Sequence, residues 1–260
     1  MLLQDRTVVV CGVGPGLGLE VAKAALRDGA NVVVAARRAD ALAEHARALD
    51  PGGERVLDVA ADVTDADQCA ALMSAAADRF GSVDATVQVA ALDALFGDLQ
   101  STPAEDFERA VRVNVVGAIQ VARAAVPHMT AAGGGSIVFV GTQAQWHPPA
   151  MPQLAYASSK GALLAAMRQL VQELGPQRIR VNMVIPTWMW GPPVEAWVRF
   201  EAKRRGVPEA EIVAGITQNM PLGEIPEDDD VANACVFFCS DRARMITGET
   251  LLVNAGEVVR

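Results

Sequence analysis

The sequence predicts an α/β fold, a doubly wound and mainly parallel seven-stranded sheet with helices on both faces. Three observations predict it. Short β-branched runs alternate with longer amphipathic stretches from residue 7 onward. The runs are continuously apolar, as strands covered on both faces must be. A glycine-rich turn, "GVGPGLG", separates the first strand from the first helix.

Taken in order, "TVVVC" forms a strand at 7–11, and "LEVAKAALRDG" forms a helix whose apolar residues recur every three or four positions. "NVVVAA" follows as the second strand at 31–36. Further strands are expected at 55–60, 84–90, 136–141, 178–184 and 249–254, with helices at 39–49, 66–80, 104–131, 156–174 and 227–240. The acidic run of "PEDDDVANACVFF" falls where the last helix begins, and carboxylates there complement the positive end of the helix dipole. That reading is preferred to a metal or partner site. The stretch 186–226 interrupts the alternation and is expected to carry one or two helices of its own. Such an insertion near the carboxyl edge of a sheet forms a substrate loop or lid, or else a purely structural excursion.

With 260 residues, 51% of them apolar, and no linker or repeat, residues 1–260 are expected to form one unit around one core. The net charge of −9, without clustered Lys and Arg, argues against nucleic acid. The opening "MLLQDRTVVV" lacks a basic flank and a long apolar stretch, and no later run is apolar enough to span a membrane. A cytoplasmic location is expected. The four cysteines and three histidines show no metal-ligand spacing, so no metal is expected.

Gly12, Gly14, Gly16 and Gly18 lie directly after a strand and at the start of a helix. There they permit a tight turn and let backbone approach a diphosphate, while Leu17 opens a helix whose N–H groups face an anion. This context makes the segment a dinucleotide cradle. Where the second strand ends, a carboxylate would bind an adenosine ribose, but Ala36 is neutral and Arg37 follows. A 2′-phosphate would be attracted there, so NADP(H) is favoured, with NAD(H) the other possibility if Arg37 only begins a solvated loop. Asp62, after the third strand, meets an adenine amino group or caps the next helix.

In "LAYASSKGALLAAM" the only tyrosine, Tyr156, stands one helical turn before Lys160, and both share the apolar face with Leu163, Leu164 and Met167. Burying an ammonium costs several kcal/mol unless a partner or task offsets it. Within about 4–6 Å of a phenol, it would pull the tyrosine below its ordinary value of about 10 and make it a usable acid and base.

With "CGVGPGLG" and "YASSK" in this order, the chain resembles the short-chain dehydrogenase/reductase family over nearly its whole length. The resemblance implies a Rossmann-type fold and a reversible hydride transfer between a nicotinamide cofactor and a ketone, aldehyde or alcohol. It also implies roles by position. Asp62 and Val63 line the adenine site, and Ala90 lines the cofactor crevice. Asn114 holds a proton-relaying water for Lys160. Tyr156 and Lys160 act on the substrate oxygen and the nicotinamide ribose. Pro186, Thr187 and Met189 flank the nicotinamide.

The family's NNAG stretch appears as Gln88-Val89-Ala90-Ala91, and its active-site serine aligns with Thr142. Threonine keeps the hydroxyl that binds a carbonyl oxygen but adds a methyl group. Gln143 is a second candidate there. Thr187 and Gly191 replace the glycine and threonine expected after Pro186. Trp146, Met151, Trp188 and Trp190 lie in the segments that flank the substrate, which suggests an apolar wall for a bulky substrate, or packing of a lid or subunit interface. By resemblance a homodimer or homotetramer is expected. The altered motifs also leave open a nicotinamide-binding regulatory or interaction protein with little turnover.

Overall fold

The computed structural model describes residues 1–149 and 151–259; Ala150 and Arg260, which fall within the expected unit, lie outside the described residues. Seven parallel strands form one sheet in the order β3-β2-β1-β4-β5-β6-β7. They are β1 (Thr7–Cys11), β2 (Asn31–Ala36), β3 (Val56–Ala60), β4 (Ala85–Gln88), β5 (Gly135–Val140), β6 (Ile179–Pro186) and β7 (Thr250–Val253). The chain winds outward from β1 to β3, returns to place β4 beside β1, and then winds outward the other way. Ligands bind such sheets where the winding reverses, outside the carboxyl ends of the strands, here between β1 and β4.

The helices are α1 (Leu17–Arg27), α2 (Ala39–Leu49), α3 (Ala66–Phe80), α4 (Ala104–Val111), α5 (Ala118–Ala131), α6 (Leu154–Leu174), α7 (Pro192–Arg205), α8 (Glu209–Thr217) and α9 (Asp228–Cys239). α1, α2 and α9 cover one face, where Val8, Val10, Val32 and Val34 meet Val21, Leu42, Val231 and Val236. α3, α5 and α6 cover the other, where Val9, Val33, Ile137, Phe139 and Val181 meet Leu72, Val121, Leu163 and Met167. Alternate strand residues thus enter opposite cores, which is why the strands are apolar without a break. Each fully buried Val or Leu stabilises the fold by about 1.5–3 kcal/mol relative to exposure.

Local chemistry sets several ends. Asp65 caps α3 by accepting from the N–H groups of Asp67 and Gln68, and Gly81, at φ 85°, closes it in the left-handed region. The strand expected at 84–90 stops at Gln88, because the N–H groups of Val89 and Ala90 both turn to the Cys11 carbonyl. The helix expected at 104–131 is broken by a π-helical segment, Arg112–Gly117, between α4 and α5. In the 186–226 stretch, α7 and α8 pack on each other around Val198, Ala202 and Ile212, a small core of their own.

Candidate active site

The glycine turn is shaped by contacts that no side chain would fit. A Cβ on Gly12, whose φ is 100°, would lie 2.3 Å from the Ala90 nitrogen, and one on Gly18 would lie 2.3 Å from the Gly12 oxygen. Above Gly14 the space is open. Gly16, at φ 117°, precedes α1 without a capping side chain, and the N–H groups of Leu17 and Gly18 have no acceptor among the described residues. Open space, unused donors and a helix dipole together make a cradle that fits a diphosphate.

Arg37 follows β2 and is exposed. The Asp62 carboxylate accepts from the Thr64 N–H and hydroxyl, both at 2.8 Å. Those bonds first, and then the charges of Arg37 and Arg112, hold it below the ordinary carboxylate range against its partial burial. Arg37, Asp62 and Arg112 therefore form one polar corner beyond the ends of β2 and β3. Val63 is buried beneath Gly117, where a Cβ would lie 2.8 Å from a Val63 methyl. The π-helical segment thus fits closely over Val63.

The opposite side is set by α6. Lys160 is 2% exposed, and its Nζ donates to the Val140 carbonyl at 2.7 Å and sits 5.8 Å from the centroid of the Tyr156 ring. Burial pulls the ammonium down to about 8, against the nearby charge of Asp93. Tyr156 is half-buried, with the Thr142 hydroxyl within hydrogen-bonding reach of its phenol. Burial first and then Asp93 push the phenol above its ordinary value, and the Thr142 bond opposes them. The expected depression of the phenol by Lys160 is therefore corrected. Desolvation dominates at the phenol, while the Lys160 ammonium donates to the Val140 carbonyl.

Asn114 lies in the π-helical segment and is buried. Its Oδ1 accepts from the Leu92 N–H at 2.6 Å, and its Nδ2 donates to the Leu92 carbonyl at 3.1 Å and to the Ser159 Oγ at 2.9 Å. Ser159 in turn donates to the Tyr156 carbonyl at 2.7 Å. The Asn114 side chain ties the loop after β4 to the first turns of α6. Through Ser159 it reaches the Tyr156 backbone carbonyl, and among the described residues Lys160 is not one of its hydrogen-bond partners.

The substrate-side candidates divide. The Gln143 amide is committed to the C-terminal segment, donating to Glu257 at 2.6 Å and accepting from Asn254 at 3.3 Å. Thr142 remains as the hydroxyl beside Tyr156. Pro186 ends β6, Thr187 donates its hydroxyl to the same Glu257 carboxylate, and Met189 packs on the α1–α9 core. Trp188 stacks at 5.0 Å on Trp197, whereas Trp190 packs into the α7–α8 core. Trp146 packs on the core beneath α6, and Met151 is 37% exposed. Ser159, Asp93 and Glu257 escaped the sequence reading. Ser159 lies inside the quoted "YASSK" and was within reach of it, but nothing local marks Glu257, which acts from the far end of the chain.

Residues 12–257 match the family model described as enoyl-(acyl carrier protein) reductase. The chain is 34% identical over 264 residues to an L-rhamnose 1-dehydrogenase (NAD(P)(+)) of Azotobacter vinelandii, covering 98% of each chain. It superposes with TM-score 0.89 and 29% identity on a short-chain type dehydrogenase/reductase of Mycobacterium ulcerans, covering 99% of this chain and 91% of that one. With TM-score 0.92 and 27% identity it matches an L-sorbose reductase of Gluconobacter frateurii complexed with NADPH and L-sorbose, covering 100% and 99%. With the glycine cradle, the Tyr156–Lys160 pair and the sheet order already in place, these matches establish that the chain belongs to the short-chain dehydrogenase/reductase family of oxidoreductases.

Proposed function

We propose that the chain reduces a ketone or aldehyde with NADPH, or oxidises the corresponding alcohol, with NAD(H) as the less favoured cofactor. The observation that carries this reading is the meeting of Tyr156, Thr142 and Lys160 at the carboxyl end of the sheet, across from the glycine cradle. Gly12, Gly14, Gly16, Leu17 and Gly18 would shape and hold the diphosphate end. Arg37 would meet the 2′-phosphate, and Asp62 and Val63 the adenine. Ala90 would floor the crevice, Tyr156 and Lys160 would hold the ribose, and Pro186, Thr187 and Met189 would flank the nicotinamide. Bound there, the nicotinamide supplies or accepts the hydride.

Tyr156 gives its proton to the substrate oxygen, and Thr142 hydrogen-bonds the same oxygen as charge develops on it. A phenol held above its ordinary value is protonated at neutral pH, which suits the reducing direction. Lys160, lowered to about 8, keeps its positive charge below that pH and restrains the phenol's neighbourhood electrostatically. Asn114 and Ser159 act as positioning residues for Tyr156.

The Trp188–Trp197 pair supports a bulky apolar substrate, with α7 and α8 acting as its lid. A polyol or sugar is the second reading, favoured by the Asp93 and Glu257 carboxylates around the same loops and by the sugars named for two relatives. Four unpaired thiols suit a reducing, cytoplasmic setting. Val111 and Val116, 41% and 45% exposed around the π-helical segment, support a homodimer or homotetramer. Following NADPH consumption with ketoses and with cyclic and aromatic ketones tests the reading. Turnover with either set supports an enzyme and selects its substrate class, and nucleotide binding without turnover on any of them favours a regulatory role.

A further inference from the structure

The acidic start of α9 does not act as one group. Glu227 and Asp230 close a capping box, and Asp229 bonds Arg27 and Asn233. Asp228 turns inward. It is 7% exposed, and its carboxylate accepts no hydrogen bond among the described residues. Its Oδ2 would lie 3.4 Å from a Cβ on Gly16 and 2.2 Å from one on Gly191, so it is wedged between the glycine cradle and the loop after β6. That loop is pinned to α9, since the Trp190 N–H donates to the Pro226 carbonyl at 2.7 Å and Trp190 pairs with Glu227. The volume that a side chain at position 191 would take is filled by this carboxylate.

An unpartnered carboxylate beside a diphosphate cradle presents a conflict, because two negative groups would share a largely desolvated site. Protonation resolves it. We propose that Asp228 is a cofactor-binding residue that works as a neutral acid, its O–H donating to a phosphate oxygen held at the α1 N-terminus, so that the nucleotide binds together with a proton. The inference rests on the nicotinamide reading of the cradle. Burial first and then the charge of Glu20 already raise Asp228 to about 6, and an adjacent phosphate raises it further. Of the charged groups around it, Glu20 bonds Lys23 on α1, Arg27 bonds Asp229, and Glu227 and Asp230 cap α9. The loop after β6 brings no charged side chain to the carboxylate, since Trp190 and Gly191 form it there.

The test is the pH dependence of NADPH binding, followed by ligand fluorescence and by calorimetry in two buffers of different ionisation enthalpy, for the wild type and for Asp228→Asn. Lys160 and the 2′-phosphate titrate in both proteins, so the difference between them isolates Asp228. For the wild type, affinity relative to the variant falls by up to about tenfold per pH unit above pH 6, and binding near neutrality takes up as much as about one more proton. Equal slopes and equal proton uptake overturn the proposal while leaving the cradle intact. Tighter wild-type binding on adding Mg²⁺ in place of acid also overturns it, by making the carboxylate a metal ligand. No NADPH binding by either protein at any pH overturns the nicotinamide reading, and this proposal with it.

Discussion

The two halves of the site are built by different means. At the glycine cradle, backbone does the shaping: Gly12 and Gly18 allow close approach, the Ala90 N–H bonds the Cys11 carbonyl, and α1 presents its free amides. Across the rest of the candidate site, side chains tie distant segments together. Glu257 accepts from Gln143 and Thr187, which lie after different strands, and Asn114 fastens the loop after β4 to α6. A backbone-built cradle tolerates little change in residue type, whereas a side-chain-built pocket can be retuned by single substitutions. This contrast fits a fold that hosts many functions by changing the residues around a common cradle.

The largest effect is expected in the cradle. Gly12→Ala forces a side chain onto the Ala90 backbone from a left-handed conformation, a strain of at least about 1–3 kcal/mol. Thermal unfolding should drop by several degrees, and NADPH binding should be lost in calorimetry. Next comes Lys160→Met, which removes a buried ammonium whose value is lowered to about 8. Its kcat/KM should fall by about 100-fold or more. Its stability follows from linkage. A lysine depressed in the folded state adds stability as pH rises from about 8 towards its unfolded value and withholds it below, so near pH 7 the methionine variant should unfold no earlier than the wild type.

A smaller effect is expected at the adenosine end. Arg37→Ala should raise the KM for NADPH by about tenfold, a charge-assisted bond to a phosphate, and leave that for NADH unchanged. An unchanged ratio would return Arg37 to the solvated loop. The smallest belongs to the side-chain network. Glu257→Ala releases Gln143 and, beside the proposed nicotinamide, Thr187; it should raise the KM for the carbonyl substrate several-fold with a smaller change in NADPH affinity, and lower thermal unfolding by a few degrees, because a hydrogen bond to a charged group contributes about 1.5–3 kcal/mol. If nucleotide affinity falls as much as substrate affinity, the separation of the halves fails.

The same contrast explains what could be read from the sequence. α2 and α3 begin and end where the apolar spacing puts them, and β1 and β2 match their runs to the residue, because these signals are local. The glycine cradle, Tyr156 and Lys160 were legible for the same reason. The π-helical segment was not, since a one-residue change of helical period around Asn114 depends on bonds to Leu92 and Ser159, distant in sequence. The Tyr156 ionisation was misjudged because helical spacing gives the distance to Lys160 but not the desolvation around the phenol. Two tryptophans that looked alike in sequence parted company, Trp188 pairing with Trp197 while Trp190 sank into the α7–α8 core, since the lid's own packing chooses between them.

The central claim is that Tyr156 delivers the proton while the cradle independently holds the nucleotide. Tyr156→Phe tests it most directly, because the chain has no second phenol to substitute. With NADPH affinity measured beside turnover on an accepted carbonyl substrate, kcat should fall by about 100-fold to 10,000-fold while the NADPH Kd stays within a few-fold. A variant that keeps most of its kcat would contradict the account.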